Sequence, residues 1–214
     1  MSNRWVCLDV GETLVDETRV ADTWAEVLGV TRLTFAAVFG ATIAGGGLHR
    51  EAFELLGGGD WRQRLPEFSA AYGAFRPGDL YPDAIRTLDG LRRRGYRVAI
   101  LANQPSERTA ELRTIGVEAE VMAMSDELGV QKPDPAFFAR ALELMGDPAP
   151  ADVAYVGDRP DNDVAPALAA GMKAVWLRRG PWGAIWQEAP GASMVVLSLD
   201  ELVEQIDALW DGAA

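Results

Sequence analysis

The stretch Trp5-Val6-Cys7-Leu8-Asp9-Val10-Gly11-Glu12-Thr13-Leu14 decides how this chain is read. Four apolar residues in succession, rather than alternation with polar ones, fit a strand covered on both faces, which is how a parallel sheet buries its strands. Asp9 closes the run, so the strand is expected to end on a carboxylate. The pattern returns twice: Val98-Ala99-Ile100-Leu101 leads into Ala102-Asn103, and Val153-Ala154-Tyr155-Val156 leads into Gly157-Asp158. Helical spacing fills Pro82 to Arg94, Ser106 to Ile115, Pro135 to Met145, Asp161 to Ala170 and Leu199 to Leu209, with Gly95, Gly116, Gly146 and Gly171 at the expected stops. Strands alternating with helices imply βαβ units and an α/β fold with a doubly wound, mostly parallel sheet.

Residues 9–97 separate the first two runs, far more than one crossover helix needs. Residues 16–79 have almost no β-branched runs but carry helical spacing, as in Trp24, Val27, Leu28 and in Phe53, Leu55, Leu56; glycine triplets at 45–47 and 57–59 separate the pieces. An inserted all-helical subdomain over 16–79 is therefore expected, with residues 1–15 and 80–214 forming the α/β core. The uncharged run Leu33 to Leu48 is too short and glycine-rich for a membrane span, and a buried helix is the expectation.

The 214 residues include 20 basic and 32 acidic side chains, a formal net charge of −12, and 49% are hydrophobic. That composition supports a packed core and argues against disorder. The acidic balance disfavours nucleic acid or an anionic membrane as partner, because long-range attraction and counterion release are both missing. Cys7 is the only cysteine, so no disulfide within the chain and no cysteine-built zinc site is possible. With no long apolar core near the N-terminus, the chain reads as cytoplasmic. His49, the sole histidine, is read as a solvated residue at a helix start.

Ligands of open α/β sheets bind beyond the carboxyl ends of the strands. Asp9, Asn103 and Asp158 would converge there if their strands are neighbours, with Asp163 facing them from the first turn of the next helix. Carboxylates without histidine or cysteine suit a hard, oxygen-seeking cation, and beside phosphate Mg²⁺ is the usual choice.

Asp9 to Leu14, Ala102-Asn103, Lys132-Pro133-Asp134-Pro135 and Gly157 to Asp163 together resemble the four ordered motifs of the haloacid dehalogenase-like superfamily. The resemblance spans almost the whole chain and includes the helical cap inserted after the first motif. It implies a Mg²⁺-dependent hydrolase, a phosphatase acting on a small phosphorylated metabolite through an aspartyl-phosphate on Asp9. Asp9, the carbonyl of Gly11 and Asp158 would be metal ligands, with Asp163 holding the set from behind. Asn103, Lys132, Gly11 and Glu12 would bind phosphate, and Lys132 would also neutralise charge during catalysis.

Two departures qualify that implication. Family phosphatases carry a second Asp, the proton donor, two positions after the nucleophile; here Gly11 stands there. Ala102 replaces a Ser or Thr that donates a hydroxyl to phosphate. Turnover restricted to good leaving groups is the expectation, with Glu12 a candidate replacement acid. A binding module without turnover, or a dehalogenase-type hydrolase, remains open on the same grounds. Trp176, Trp182 and Trp186 around Arg178-Arg179 are read as core packing beside a surface loop, and Arg92 to Arg94 as a solvated run complementing a helix dipole.

Overall fold

A computed structural model describes residues 3–47 and 50–211 of the chain; His49 lies outside the described residues. The three apolar runs are strands β1 (Trp5–Leu8), β2 (Arg97–Ala102) and, fourth in chain order, β4 (Val153–Gly157); β3 (Val121–Met124), β5 (Lys173–Leu177) and β6 (Met194–Val196) complete the sheet. The order is β3-β2-β1-β4-β5-β6, and every pairing is parallel. From β1 the chain winds outward to β2 and β3, then returns to build β4, β5 and β6 on the other side. The crevice where the order reverses therefore opens between the carboxyl ends of β1, β2 and β4.

Period-two geometry sorts the strand residues onto two cores. Val6, Leu8, Val98, Ile100, Ala154, Val156, Val175 and Leu177 face one. Helices α5 (Ala84–Arg93), α6 (Arg108–Thr114) and α11 (Leu199–Gln205) cover it through Leu88, Leu91, Leu112 and Leu202. Trp5, Cys7, Ala99, Leu101, Tyr155 and Trp176 face the other, under Phe137, Phe138 and Ala141 of α8 (Pro135–Leu144) and Ala167 of α9 (Ala165–Ala169). Truncating a buried ring such as Phe137 to Ala would cost about 3–5 kcal/mol.

Among the described residues, four α-helices separate β1 from α5: α1 (Thr18–Leu28), α2 (Arg32–Ala44), α3 (Glu51–Leu55) and α4 (Leu65–Tyr72). Thr31 starts α2 by accepting from Thr34 N, and Gly29, left-handed at φ 69°, ends α1. Trp24, Phe53 and Phe68 knit these helices together, with Trp24 stacked on Phe68 at 4.8 and 4.4 Å from Phe53 and Phe68 respectively. The chain enters and leaves this segment side by side: Asp16 N donates to Asp79 O, Tyr81 N to Leu14 O, and Val15 bridges Leu80. Arg19 ties the start of the segment to its end, bonding Asp79, Tyr72 O and Ala74 O.

Two local expectations are corrected. The run Leu33 to Leu48 is not a buried helix: in α2 only Phe35, Thr42 and Ile43 are buried, and Leu33 is 79% exposed, because a helix on one side of a small aromatic core needs only one apolar stripe. Asp161 to Ala170 is not one helix either, since Pro160–Val164 forms a wider π-type turn before α9. The expected glycine stops hold, with Gly95, Gly116, Gly146 and Gly171 all at positive φ. Arg92 and Arg94 are engaged as well as solvated: Arg92 reaches Glu118 O and Arg94 pairs with Asp207. Among the described residues no single helix is long and apolar enough to cross a membrane.

Two further short helices are α7 (Ser125–Leu128) after β3 and α10 (Gly180–Ile185) after β5, and α10 borders the crevice through Gly180, Pro181 and Trp182.

Candidate active site

Asp9 follows β1 directly, and its N–H donates to Val156 O, extending the β1–β4 ladder by one residue. The next turn is tight. Val10 O accepts from Thr13, Leu14 and Val15, which pins the loop against the strand end and leaves the Asp9 carboxylate at the crevice. Glu12 takes φ 50° in this turn, a left-handed conformation that costs a side-chain-bearing residue about 1 kcal/mol or more.

Lys132 is buried and spans two carboxylates, with Nζ 2.9 Å from Asp9 Oδ1 and 2.5 Å from Asp163 Oδ1. Burial alone would discharge the ammonium, but Asp163 and Asp9 overcome it and hold its pKa above the usual lysine value. Asn103 sets the height of this lysine. Its Oδ1 accepts from Lys132 N at 2.7 Å and its Nδ2 donates to Lys132 O at 2.9 Å, so the tip of β2 grips the backbone that carries the cation.

Asp163 comes from the π-type turn rather than from a regular helix. Its second oxygen accepts from Arg159 N at 3.0 Å. Gly157 makes room for it, since a Cβ there would fall 2.6 Å from Asp163 Cβ. Asp158, at the tip of β4, is buried, and its Oδ2 has no hydrogen-bond partner. Burial first, then the charges of Asp163 and Asp9, raise its pKa far above the carboxylate range. Asp9, Asp158 and Asp163 each offer an oxygen, all within 4.8 Å of one another. Buried like charges at that spacing demand a counter-charge, and an oxygen-only donor set with an orphaned carboxylate oxygen fits a hard divalent cation.

Asp9 and Asp158 line a cleft of about 1050 Å³, with Asp163 buried behind them. Its far wall belongs to the helical segment, through Trp24, Phe39, Phe53 and Trp61. Trp182 of α10 closes one side, edge-on to Phe39 at 5.6 Å, with the Arg159 guanidinium 4.6 Å over its ring. The tryptophan expectation thus divides: Trp176 is core and donates to Asp158 O, Trp186 packs beside that core, and Trp182 lines the cleft.

Of the sequence-derived candidates, the structure gathers Asp9, Asn103, Lys132, Asp158 and Asp163 at the strand tips. Gly11 and Glu12 line the same cleft, but Glu12 has its groups committed to the loop. Tyr81 Oη donates to its Oε2 at 2.5 Å, Glu17 N to its Oε1 at 2.9 Å, and its own N–H goes to Val15 O. Gly180 leaves the space this carboxylate fills, because a Cβ there would fall 2.8 Å from Glu12 Cδ. The side chain braces the turn.

Glu17 was not a sequence candidate. It precedes α1 and lines the cleft together with Gln104. Burial, then Glu12 and Asp9, push its carboxyl up to about 8. No spacing signal announces it, since an irregular turn carries it to the site.

Against known families, residues 4–171 match the haloacid dehalogenase-like hydrolase model. The chain belongs to this family. Among curated relatives it is 41% identical over 135 residues to a phosphoserine phosphatase of Thermus thermophilus, covering 61% of this chain and 53% of that protein. It is 36% identical over 105 residues to a glyceraldehyde 3-phosphate phosphatase of Methanopyrus kandleri, covering 48% and 45%. The chain spans about half the length of the curated relatives it matches. Among solved structures, a HAD-hydrolase of Bacillus subtilis bound to magnesium superimposes with a TM-score of 0.75 at 17% identity, over 95% of this chain and 98% of that one. A HAD phosphatase from Thermococcus onnurineus gives 0.61 at 25% identity, covering 95% and 97%.

Proposed function

We propose that this haloacid dehalogenase-like hydrolase is a Mg²⁺-dependent phosphatase that cleaves a small phosphorylated molecule through an aspartyl-phosphate on Asp9. The observation that carries the reading is the Asp9 carboxylate at the crevice, with the Lys132 ammonium 2.9 Å away and two further carboxylates behind it. Phosphatase relatives that act on phosphoserine, glyceraldehyde 3-phosphate and phosphoglycolate support the same class of substrate. They favour it over a dehalogenase-type reaction or a silent binding module.

In this reading Asp9 attacks phosphorus and holds the phosphoryl group until water displaces it, dividing one displacement into two easier ones. Lys132 orients Asp9 and offsets negative charge that builds on the phosphoryl oxygens. Asn103 fixes Lys132 and has a second amide hydrogen to offer the phosphoryl group. Asp9, Asp158 and the Gly11 carbonyl would hold Mg²⁺, with Asp163 bridging Lys132 and the Arg159 N–H behind them. The cation supplies charge neutralisation for a phosphoryl group drawn toward three carboxylates. Residues 16–79 act as a cap over a core of residues 1–15 and 80–214, excluding water and shaping the choice of substrate. The buried, lone Cys7 accords with a cytoplasmic setting.

The test is phosphate release from a panel of phosphorylated compounds with and without Mg²⁺, using Asp9→Asn as control. Metal-dependent release that vanishes in Asp9→Asn is expected. Release that persists in Asp9→Asn, or a wild type silent on every compound, would refute the reading.

A further inference from the structure

A phosphate monoester leaves with an oxygen that needs a proton, and the aspartyl-phosphate must then be attacked by water that loses one. The strand-tip groups are poorly placed to serve both needs. Lys132 is held between Asp9 and Asp163, Asp158 and Asp163 face the candidate cation, and both oxygens of Glu12 are taken by Tyr81 and Glu17 N. Gly11, two residues beyond Asp9, has no side chain to contribute.

The space beside Gly11 is nevertheless filled. A Cβ built on it would fall 2.8 Å from Glu17 Cδ, 3.3 Å from Oε2 and nearer still to Oε1. The carboxyl group of Glu17 therefore occupies the volume that a side chain at residue 11 would take, at the mouth of the loop that presents Asp9. The Glu17 backbone N–H is fixed on Glu12 Oε1, and Gln104, the residue after Asn103 at the tip of β2, lines the same cleft.

We propose that Glu17 is the catalytic acid and base of this site, doing from the entrance to α1 what a carboxyl at residue 11 would do from the nucleophile loop. The inference rests on the phosphatase reading. As an Asp9 oxygen bonds to phosphorus, the ester P–O bond breaks; its electron pair stays on the leaving oxygen, which takes the Glu17 proton and departs as an alcohol. Water then attacks the phosphoryl group, passes a proton to the Glu17 carboxylate, and the Asp9–phosphorus bond breaks to free inorganic phosphate and the Asp9 carboxylate. Ester plus water become alcohol plus phosphate, and Glu17 ends protonated as it began. Glycine at residue 11 leaves the Glu17 carboxyl its place, since a side chain there would have to displace it.

The test compares wild type, Glu17→Gln, Glu17→Ala, Gly11→Asp and Gly11→Asp/Glu17→Ala on two probes with Mg²⁺ present: p-nitrophenyl phosphate, whose leaving group needs little protonation, and 2-phosphoglycolate, an alkyl ester. Glu17→Gln is expected to lose ~10²–10⁴-fold in kcat on the alkyl ester, the usual worth of a positioned acid, and under about tenfold on the aryl ester. Moving the acid should restore turnover: Gly11→Asp/Glu17→Ala exceeds Glu17→Ala by at least about tenfold on the alkyl ester, while Gly11→Asp with Glu17 in place gains nothing. Equal losses on both esters, or no restoration in a double variant whose urea midpoint matches that of Glu17→Ala, would overturn the assignment while leaving the phosphatase reading intact. A wild type silent on both esters and on the wider panel would overturn both. Because restoration is read against Glu17→Ala, misfolding of Glu17→Gln alone does not blunt the test.

Discussion

The strand tips and the helical segment hold their two sides of one cleft by different means. At the strand tips directional bonds set the groups: Lys132 is held by Asp9 and Asp163, Asn103 by the Lys132 backbone, and Asp163 by the Arg159 N–H. Across the cleft the wall is made of rings, Trp24 against Phe53 and Phe68, and Phe39 against Trp182. Directional bonds on a parallel sheet fix atoms to the precision chemistry needs, whereas apolar packing fixes a volume and tolerates repacking. Under the proposed function, that difference gives the reaction to one side and selection to the other. Glu17 is the exception, a residue at the start of the helical side that reaches the chemical side.

That division can be broken most directly at Asp9. Asp9→Asn should lower kcat by more than about 10⁴-fold, as loss of a nucleophile does, and leave the urea midpoint nearly unchanged. Phosphate release and urea unfolding on the same preparation check it; retained turnover would move the chemistry away from the strand tips.

Next in size is stability. Lys132→Met leaves Asp9 and Asp163 buried without their cation and should cost about 3–5 kcal/mol without added metal. Trp24→Ala should cost a similar amount by opening a cavity among the rings. Mg²⁺ distinguishes the two causes: in urea titrations it should recover more for Lys132→Met than it adds to wild type, and no more than that for Trp24→Ala. For wild type, Mg²⁺ at a hundred times its Kd should add about 2.7 kcal/mol, and Asp158→Asn should abolish most of that gain.

A smaller effect belongs to the wall. Trp61→Ala should raise KM about tenfold, equivalent to ~1.4 kcal/mol, with kcat held within a factor of about two. A fall in kcat instead would place this ring in the chemistry.

The smallest concerns the join between the regions. Burial pushes the Asp79 carboxyl up, but the Arg19 guanidinium and the Arg76 N–H outweigh it and hold its pKa below the usual range. A carboxyl depressed in the folded state stabilises the fold above its ordinary pKa, and the contribution disappears as pH falls through its folded value. Asp79→Asn should therefore cost on the order of 1 kcal/mol at pH 7, and its gap from wild type should close below about pH 4 in urea titrations across pH.

The sheet was legible because uninterrupted apolar runs fit strands buried on both faces, and because each run ends in a polar residue at one end of the sheet. Asp9, Asn103 and Asp158 were legible for the same reason, since the strand ends place them, whereas Lys132, in the loop before α8, was legible only through the resemblance of its motif. Leu33 to Leu48 misled because absence of charge was taken for burial, yet alanines and glycines tolerate solvent, and α2 buries one stripe. Trp182 looked like core because a ring in a cleft has the same composition as a ring in a core.

By itself, the sequence determined the doubly wound sheet, the long helical segment between its first two strands, and polar residues at the ends of three strands, because local periodicity and chain order suffice for those. Only the tertiary structure decided which carboxylates face which. The Glu12 carboxylate swings to Tyr81 and the Glu17 carboxyl fills the space beside Gly11, through contacts between residues brought together by an irregular turn and by side-chain rotamers. Such placements depend on the surrounding packing, and no period along the chain records them.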